Sequence, residues 1–214
     1  MPLAASEDLA QHNVSPSTLR QGTFFLTGVF AGAASLPVEG AFISLTNRPN
    51  HNTALKHIRA SAAPVLARTG IRFWTFDHVR KYSSSTVHLP ITLSGALGGA
   101  AGGINEVFIH SLASSRRLPT LHAALSQSGK LFLCFGSYTY LSTSLSRELP
   151  PKPFWKCWLM GATAGCFGSA ITAALEGARN KAFMMASARG ALVIGTVISV
   201  QVSSCAEGLR RLGV

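Results

Sequence analysis

The sequence predicts an all-α membrane protein with six transmembrane helices arranged as three consecutive helix pairs. Hydrophobic residues make up 47% of the chain and charged residues only 13%, about half the charged fraction common in soluble domains. Glycine-rich apolar stretches recur, beginning at Gly28, Gly95 and Gly161. These starts are 67 residues (28 to 95) and 66 residues (95 to 161) apart, and a nearly fixed period indicates repeated modules of one architecture.

Glycines occupy every fourth position of the central stretch, Leu93 to Glu106, and therefore lie on one face of a helix. Each glycine in a water-soluble helix costs roughly 0.5–1 kcal/mol relative to alanine. In a bilayer the same face lets two helices approach closely. A glycine-rich loop is the alternative, although no P-loop lysine follows. The predicted helix-packing glycines are Gly28, Gly32, Gly95, Gly99, Gly103, Gly161 and Gly165.

The charge pattern bears on partners and chemistry. A net charge of +11 makes nucleic acid a candidate partner. However, the Lys and Arg residues occur singly or in pairs, as they do at the ends of transmembrane segments. We therefore expect a lipid bilayer and no nucleic acid. The four cysteines form no Cys-x-x-Cys pair and the seven histidines show no metal-ligand spacing. No nucleophile motif occurs, so we expect neither enzyme activity nor a bound metal.

Residues 1–19 form a polar N-terminal tail. Glu7 and Asp8 precede its first basic residue, whereas a mitochondrial presequence is rich in arginine and poor in acids. We therefore expect no cleaved presequence. Ser15 as the N-cap and Pro16 as the first helical residue predict a helix that begins at this point.

The first repeat covers residues 20–85. Only Glu39 is charged between Gly22 and Asn47, so this segment is long enough to cross a bilayer, and Pro37 predicts a kink in it. A turn-rich break follows, and Thr53 to Tyr82 predicts the second helix.

The second predicted helix carries several charges that hydropathy alone would count against a span. Arg68 and Arg72 are four residues apart and share one face. Because apolar side chains cover the rest of this helix, we expect both arginines to point into the protein. Ser83 to Ser85 predicts a short linker to the next repeat.

The second repeat covers residues 86–150 and the third covers residues 151–214. Leu89 to Ala113 and Thr120 to Ser144 predict the third and fourth helices, with Lys130 the only full charge in the fourth. In the last repeat one helix begins near Cys157 and reaches Glu176, and 17 uncharged residues between Arg189 and Glu207 predict the sixth.

Three helix pairs with glycines on the odd members resemble the mitochondrial carrier family, and the likeness is greatest to its tricarboxylate (citrate) branch. The segment Gly70 to Arg80 resembles the end of that branch's second helix, and Gly99 to Val107 the start of its third. Leu125 to Lys130 resembles the opening of its fourth helix, and Arg189 to Thr196 its sixth.

The resemblance implies a pseudo-threefold bundle in the mitochondrial inner membrane. It also implies that Arg72, Lys130 and Arg189 occupy levels of the family's substrate contacts, where a tricarboxylate anion would suit them. The alternative pairs these cations with Glu39, Glu106, backbone carbonyls or lipid headgroups. A vestigial cavity would then hold at most a phospholipid such as cardiolipin.

The chain departs from the family's motif Pro-x-[Asp/Glu]-x-x-[Lys/Arg], whose charges close a gate on the matrix side. Only the third repeat retains a residual gate pair, Glu176 and Arg179, and the second offers no carboxylate. In the first repeat Phe42 replaces the base. The family's second charged network is represented at most by Asp77 and Arg80.

The missing gates determine the expected function, because alternating access needs two gates that close in turn. We expect a carrier-derived, transport-inactive subunit of an inner-membrane assembly such as a respiratory-chain complex or ATP synthase. The first alternative is a shortened anion transporter. The second is a member of the inner-membrane translocase family, which usually has four spans; a third helix pair at 157–209 would count against it.

Overall fold

The computed structural model describes residues 16–47, 51–115, 118–145, 153–178 and 180–211, and these residues form six α-helices. The predicted all-α class and the six helices are confirmed. The glycine-rich loop alternative is wrong, because residues 93–106 are helical. The helices are α1 (Pro16–Asn47), α2 (His51–Ser85), α3 (Ile91–Ser115), α4 (Leu121–Ser144), α5 (Phe154–Leu175) and α6 (Lys181–Arg211).

Three helices in the described part of the chain are long and apolar enough to cross a membrane. They are α1 over Gly22–Phe42, α5 over Phe154–Leu175 and α6 over Lys181–Ser204. Apolar helices of this length indicate a membrane protein. The other three helices, α2, α3 and α4, fall short of the same hydropathy.

Local sequence explains the beginning of α4, whereas the predicted beginning of α1 stays a prediction. The described part of α1 begins at Pro16, and the predicted cap Ser15 lies outside the described residues. Thr120 caps α4, and its hydroxyl accepts a hydrogen bond of 3.2 Å from the backbone N–H of Ala123. Helix α6 begins at Lys181, eight residues before Arg189, after which the uncharged stretch begins.

The prediction of a linker at Ser83 to Ser85 is wrong, because α2 continues through these residues. Their hydroxyls donate to backbone carbonyls of the preceding turn: Ser84 donates to Lys81 at 3.1 Å and Ser85 to Lys81 at 2.7 Å. A serine that bonds back to its own helix is compatible with a helical backbone. The composition of this segment therefore misidentified a helix end.

The six helices form a closed ring. Each helix packs against its neighbours in the chain, and α1 also packs against α6. The Gln201 side chain of α6 donates a 2.8 Å hydrogen bond to the Thr27 hydroxyl of α1. Asn105 of α3 makes the corresponding bond to Thr75 of α2, at 2.9 Å. Amide side chains thus join neighbouring pairs at the α6–α1 and α2–α3 boundaries.

The helices within each pair meet in one repeated register. At two levels, one turn apart, a glycine of the odd helix faces the even helix so closely that an added Cβ would lie 2.6–3.3 Å from the facing Cβ. Such distances leave no room for a larger residue. The first glycine level contains Gly28 with Phe73, Gly95 with Thr139 and Gly161 with Ile198; the second contains Gly32 with Thr69, Gly99 with Phe135 and Gly165 with Ile194.

A second set of glycines faces the preceding pair. A Cβ on Gly98 would lie 2.9 Å from the carbonyl oxygen of Phe76, and one on Gly102 would lie 3.0 Å from that of Arg72. Gly168 of α5 approaches α4 in the same way. Both faces of α3 and α5 are therefore packed through glycine.

An apolar cluster fills part of the space inside the ring. Phe73 and Phe76 of α2 pack against Phe135 of α4, with ring centroids 5.7 and 4.7 Å apart. Offset aromatic contacts of this kind stabilise a core beyond the area they bury. The cluster contains Ala31, Phe73, Phe76, Leu131, Cys134, Phe135, Ile194, Val197 and Ile198.

Candidate functional site

A cavity of about 390 Å³ lies inside the ring beside the apolar cluster, and all six helices line it. The structure brings all three predicted anion contacts, Arg72, Lys130 and Arg189, to this one cavity. The polar and charged residues that line it are Ser35, Glu39, Arg68, Thr69, Arg72, Glu106, Ser126, Gln127, Lys130, Ser169, Thr172, Glu176 and Arg189.

The cavity opens at the end of the ring that carries the connections within the pairs. The odd helices α1 and α5 line it through their C-terminal halves and the even helices α4 and α6 through their N-terminal halves. Glu176 lines the cavity and is exposed, and the Arg189 side chain is 54% exposed. The cavity is therefore continuous with the surface at this end.

The most buried charges of the cavity form an ion pair between α2 and α3. Arg72 Nε donates to Glu106 Oε2 at 2.8 Å, and a second guanidinium nitrogen contacts the same oxygen. Gln127 of α4 donates to this oxygen at 3.1 Å. Both ionic partners are buried, as the sequence predicts for the inward face of α2. Removal of Glu106 would leave the buried Arg72 guanidinium without its ionic partner.

Longer ion pairs extend from this contact to α1 and α6. Arg68 Nε lies 3.6 Å from Glu106 Oε1, and another Arg68 nitrogen lies 3.7 Å from Glu39 Oε1. The same Glu39 oxygen lies 3.8 Å from a guanidinium nitrogen of Arg189. A series of ion pairs thus connects α6, α1, α2 and α3. In order, its members are Arg189, Glu39, Arg68, Glu106 and Arg72.

Lys130 differs from the other cations of the cavity. Its ammonium makes no ion pair within the described part of the chain, although the side chain lines the cavity. Four bases face the cavity (Arg68, Arg72, Lys130 and Arg189) against three acids (Glu39, Glu106 and Glu176). The lining therefore carries one formal positive charge in excess.

Of the predicted residual gate pair, Glu176 is described, whereas Arg179 lies outside the described residues. Glu176 is the C-cap of α5. It accepts a short hydrogen bond from the Ser126 hydroxyl of α4. At the opposite end Asp77 pairs with Lys81 at 2.8 Å, and Arg80 instead lies 5.7 Å from the ring centroid of Phe76.

The acids of this site carry a sequence signal that composition alone does not show. Glu39 lies 11 residues after Gly28, and Glu106 lies 11 residues after Gly95. In the third repeat Thr172 takes this place, 11 residues after Gly161, and it also lines the cavity. Aligning the repeats on their first glycines identifies these positions, whereas nothing in the sequence indicates the contact of Ser126 with Glu176.

The described residues contain no group of three or more His, Cys, Asp or Glu side chains that is arranged to hold a metal ion. No protein-family model, curated protein or solved structure matches the chain. The interpretation of the cavity therefore depends on its geometry and charge, with the carrier family as a resemblance.

Proposed function

We propose that all six helices cross a bilayer, as three pairs around a pseudo-threefold axis. Two observations support this arrangement. Each helix pair repeats the same glycine register at two levels, and the six helices close into a ring around a polar cavity that all six of them line. The helix pair α5 and α6 counts against a four-span translocase architecture.

The low hydropathy of the polar helices is compatible with this proposal. Hydropathy averages all faces of a helix, but the central charges Arg72 and Glu106 are buried inside the ring. The exposed side chains of α3 are apolar except for His110 near its C-terminal end, as far as the described residues show. Ionisable groups within the span of a membrane protein face its interior. The large apolar residues exposed on α3 are Ile91, Leu93, Leu97, Ile104, Phe108 and Leu112.

For its function, we propose a transport-inactive structural subunit of a mitochondrial inner-membrane assembly, either a respiratory-chain complex or ATP synthase. The observation that carries this proposal is the pairing of Arg72 with Glu106 inside the cavity. An anion that recruited Arg72 would have to displace Glu106, and breaking a buried ion pair costs about 3–5 kcal/mol. Arg72 thus stabilises the packing of α2 against α3 through Glu106 and is not free to bind a substrate anion.

Native gel electrophoresis of solubilised membranes, followed by mass spectrometry of the band, tests the structural role. The tagged full chain is expected to migrate with a reproducible set of partner subunits, and its loss is expected to destabilise that assembly. Migration solely as a monomer would overturn the proposal.

The second candidate is an anion transporter of shortened form, which Lys130 favours. Its ammonium has no ion pair among the described residues and faces an open cavity with excess positive charge. Exchange of citrate or malate in proteoliposomes distinguishes the two functions. Saturable uptake that Arg72→Ala and Arg189→Ala abolish would establish transport, provided that the exposed control Lys56→Ala leaves it unchanged. The structural proposal predicts no uptake above protein-free vesicles.

A further inference from the structure

Every tryptophan and every tyrosine of the chain lies toward one end of the ring. The chain has three of each, and all six belong to the last third of α2, the last two turns of α4 or the first two turns of α5. These helix ends carry the connections between the pairs. The residues are Trp74, Tyr82, Tyr138, Tyr140, Trp155 and Trp158.

Four of these rings are exposed on the outside of the ring of helices. Trp155 is 61% exposed and Tyr140 58%, while Trp74 and Tyr82 are also exposed. An exposed tryptophan in a membrane protein combines a large apolar ring with an N–H donor. Tryptophan and tyrosine are enriched at the boundary between hydrocarbon and headgroups for this reason.

The glycine register places several of these rings at one depth. Trp74 comes directly after Phe73, and Tyr140 directly after Thr139; Phe73 and Thr139 both belong to the first glycine level. Trp158 lies three residues before Gly161, which belongs to the same level. At 1.5 Å per residue, these three rings lie within about 5 Å of one level along the helix axes. Three different helices therefore present aromatic rings in the same layer.

A basic side chain accompanies these aromatic rings. The Lys156 ammonium lies 5.6 Å from the centroid of the exposed Trp155 ring. A cation held beside an aromatic ring at the membrane boundary suits the phosphate groups of lipids.

The distance to the opposite end fits one bilayer. Lys56 is an exposed base near the beginning of α2, 18 residues before Trp74. At the helical rise this separation is about 27 Å, close to the hydrocarbon thickness of roughly 30 Å. In α4 the exposed residues Leu121 and Tyr140 are 19 residues apart, or about 29 Å.

We infer that Trp74, Tyr140, Trp155 and Trp158, which we term the aromatic layer, bind the headgroup region of one leaflet. The opposite water–lipid boundary then crosses α2 near Lys56. This inference rests on the proposed six-span arrangement and adds the depth of the protein in the bilayer. Its ligand class is the phospholipid headgroup, and its surface is distinct from the cavity.

Tryptophan quenching by depth-labelled lipids tests the inference. The full chain is reconstituted into phosphatidylcholine vesicles that contain phosphatidylglycerol and a spin-labelled lipid, with the label either near the headgroup or near the end of an acyl chain. One variant, W155F/W158F, retains only Trp74, and a second, W74F/W158F, retains only Trp155. The matched control has Leu192→Trp, with all three native tryptophans replaced by phenylalanine.

Both native tryptophans are expected to be quenched more strongly by the headgroup label, and Leu192→Trp by the deep label, because Leu192 is an outward residue near the middle of α6. Stronger quenching of Trp74 or Trp155 by the deep label, or their exclusion from both labels, would overturn the inference while the control stays deep. If Leu192→Trp is not quenched by either label, the membrane-spanning proposal itself fails.

Discussion

The ring has an apolar half, α5, α6 and α1, and a polar half, α2, α3 and α4, and the two are joined by the same packing. Only the helices of the apolar half reach the hydropathy of a membrane span in the described residues. Yet Gly99 of α3 approaches α4 as closely as Gly165 of α5 approaches α6. The halves therefore differ in charge placement and not in helix packing.

The comparison teaches that mean hydropathy measures how many charges a helix has, but not which face carries them. In the polar half Arg72, Asp77 and Glu106 are all buried. Among the described residues of the apolar half Glu39 is the buried charge, and its partner Arg189 is half-exposed. A helix with inward charges retains an apolar outer face and remains compatible with lipid.

The largest expected effect is that of removing the central carboxylate of the polar half. Glu106→Ala leaves Arg72 buried without its partner and is expected to lower the free energy of unfolding by about 3–5 kcal/mol. Glu39→Ala breaks only longer contacts to partly exposed arginines, so a loss of about 1 kcal/mol or less is expected. Denaturant-induced unfolding in detergent, followed by circular dichroism, measures both.

A rescue variant separates charge from packing in this pair. Replacing Arg72 by methionine in the Glu106→Ala background removes the uncompensated charge and is expected to restore part of the lost stability. Equal losses for Glu106→Ala and Glu39→Ala, or no rescue, would show that the two halves do not differ in buried charge.

The second prediction compares the glycines of the two halves. An added methyl group at Gly99 would overlap the Leu131 carbonyl oxygen, and one at Gly165 that of Gly190. Gly99→Ala and Gly165→Ala are each expected to cost about 1–3 kcal/mol of unfolding free energy. The control Gly129→Ala, with no neighbour within 4 Å, should gain roughly 0.5–1 kcal/mol. The same unfolding assay applies, and a loss in only one half would mean that the registers are not equivalent.

The smallest expected effect concerns the hydrogen bonds that join neighbouring pairs. Gln201→Leu removes the bond of α6 to Thr27, and Asn105→Leu removes that of α3 to Thr75. Hydrogen bonds between transmembrane helices are worth about 0.6 kcal/mol on average, so both variants should lose a similar small amount. A thermal shift that is large for one variant and absent for the other would assign ring closure mainly to that boundary.

Sequence reasoning recovered what is local or periodic. The inward face of Arg68 and Arg72 follows from their helical spacing, because residues four apart lie on one side of a helix. The error at Ser83 to Ser85 has a local cause as well, because hydroxyls that bond back to the helix allow α2 to continue. Helix ends rich in serine are ambiguous for this reason.

The contacts between helices were harder to predict because they depend on how neighbouring pairs are aligned. Arg72 and Glu106 are 34 residues apart in sequence, and Ser126 and Glu176 are 50 apart. Repeat spacing gives the register within a pair but not the facing residues of adjacent pairs. The ion pair of Asp77 with Lys81 shows the converse, since these two residues are one turn apart on the same helix.

The most direct test of the six-span arrangement is the side from which introduced cysteines react with a membrane-impermeant maleimide. In a background without native cysteines, single cysteines replace four exposed residues at the ring ends, Val87, Leu118, Leu145 and Leu175. The account predicts that L118C and L175C react from one side of sealed vesicles, and V87C and L145C from the other. Reaction of V87C and L118C from the same side would mean that α3 does not cross the bilayer and would contradict the account.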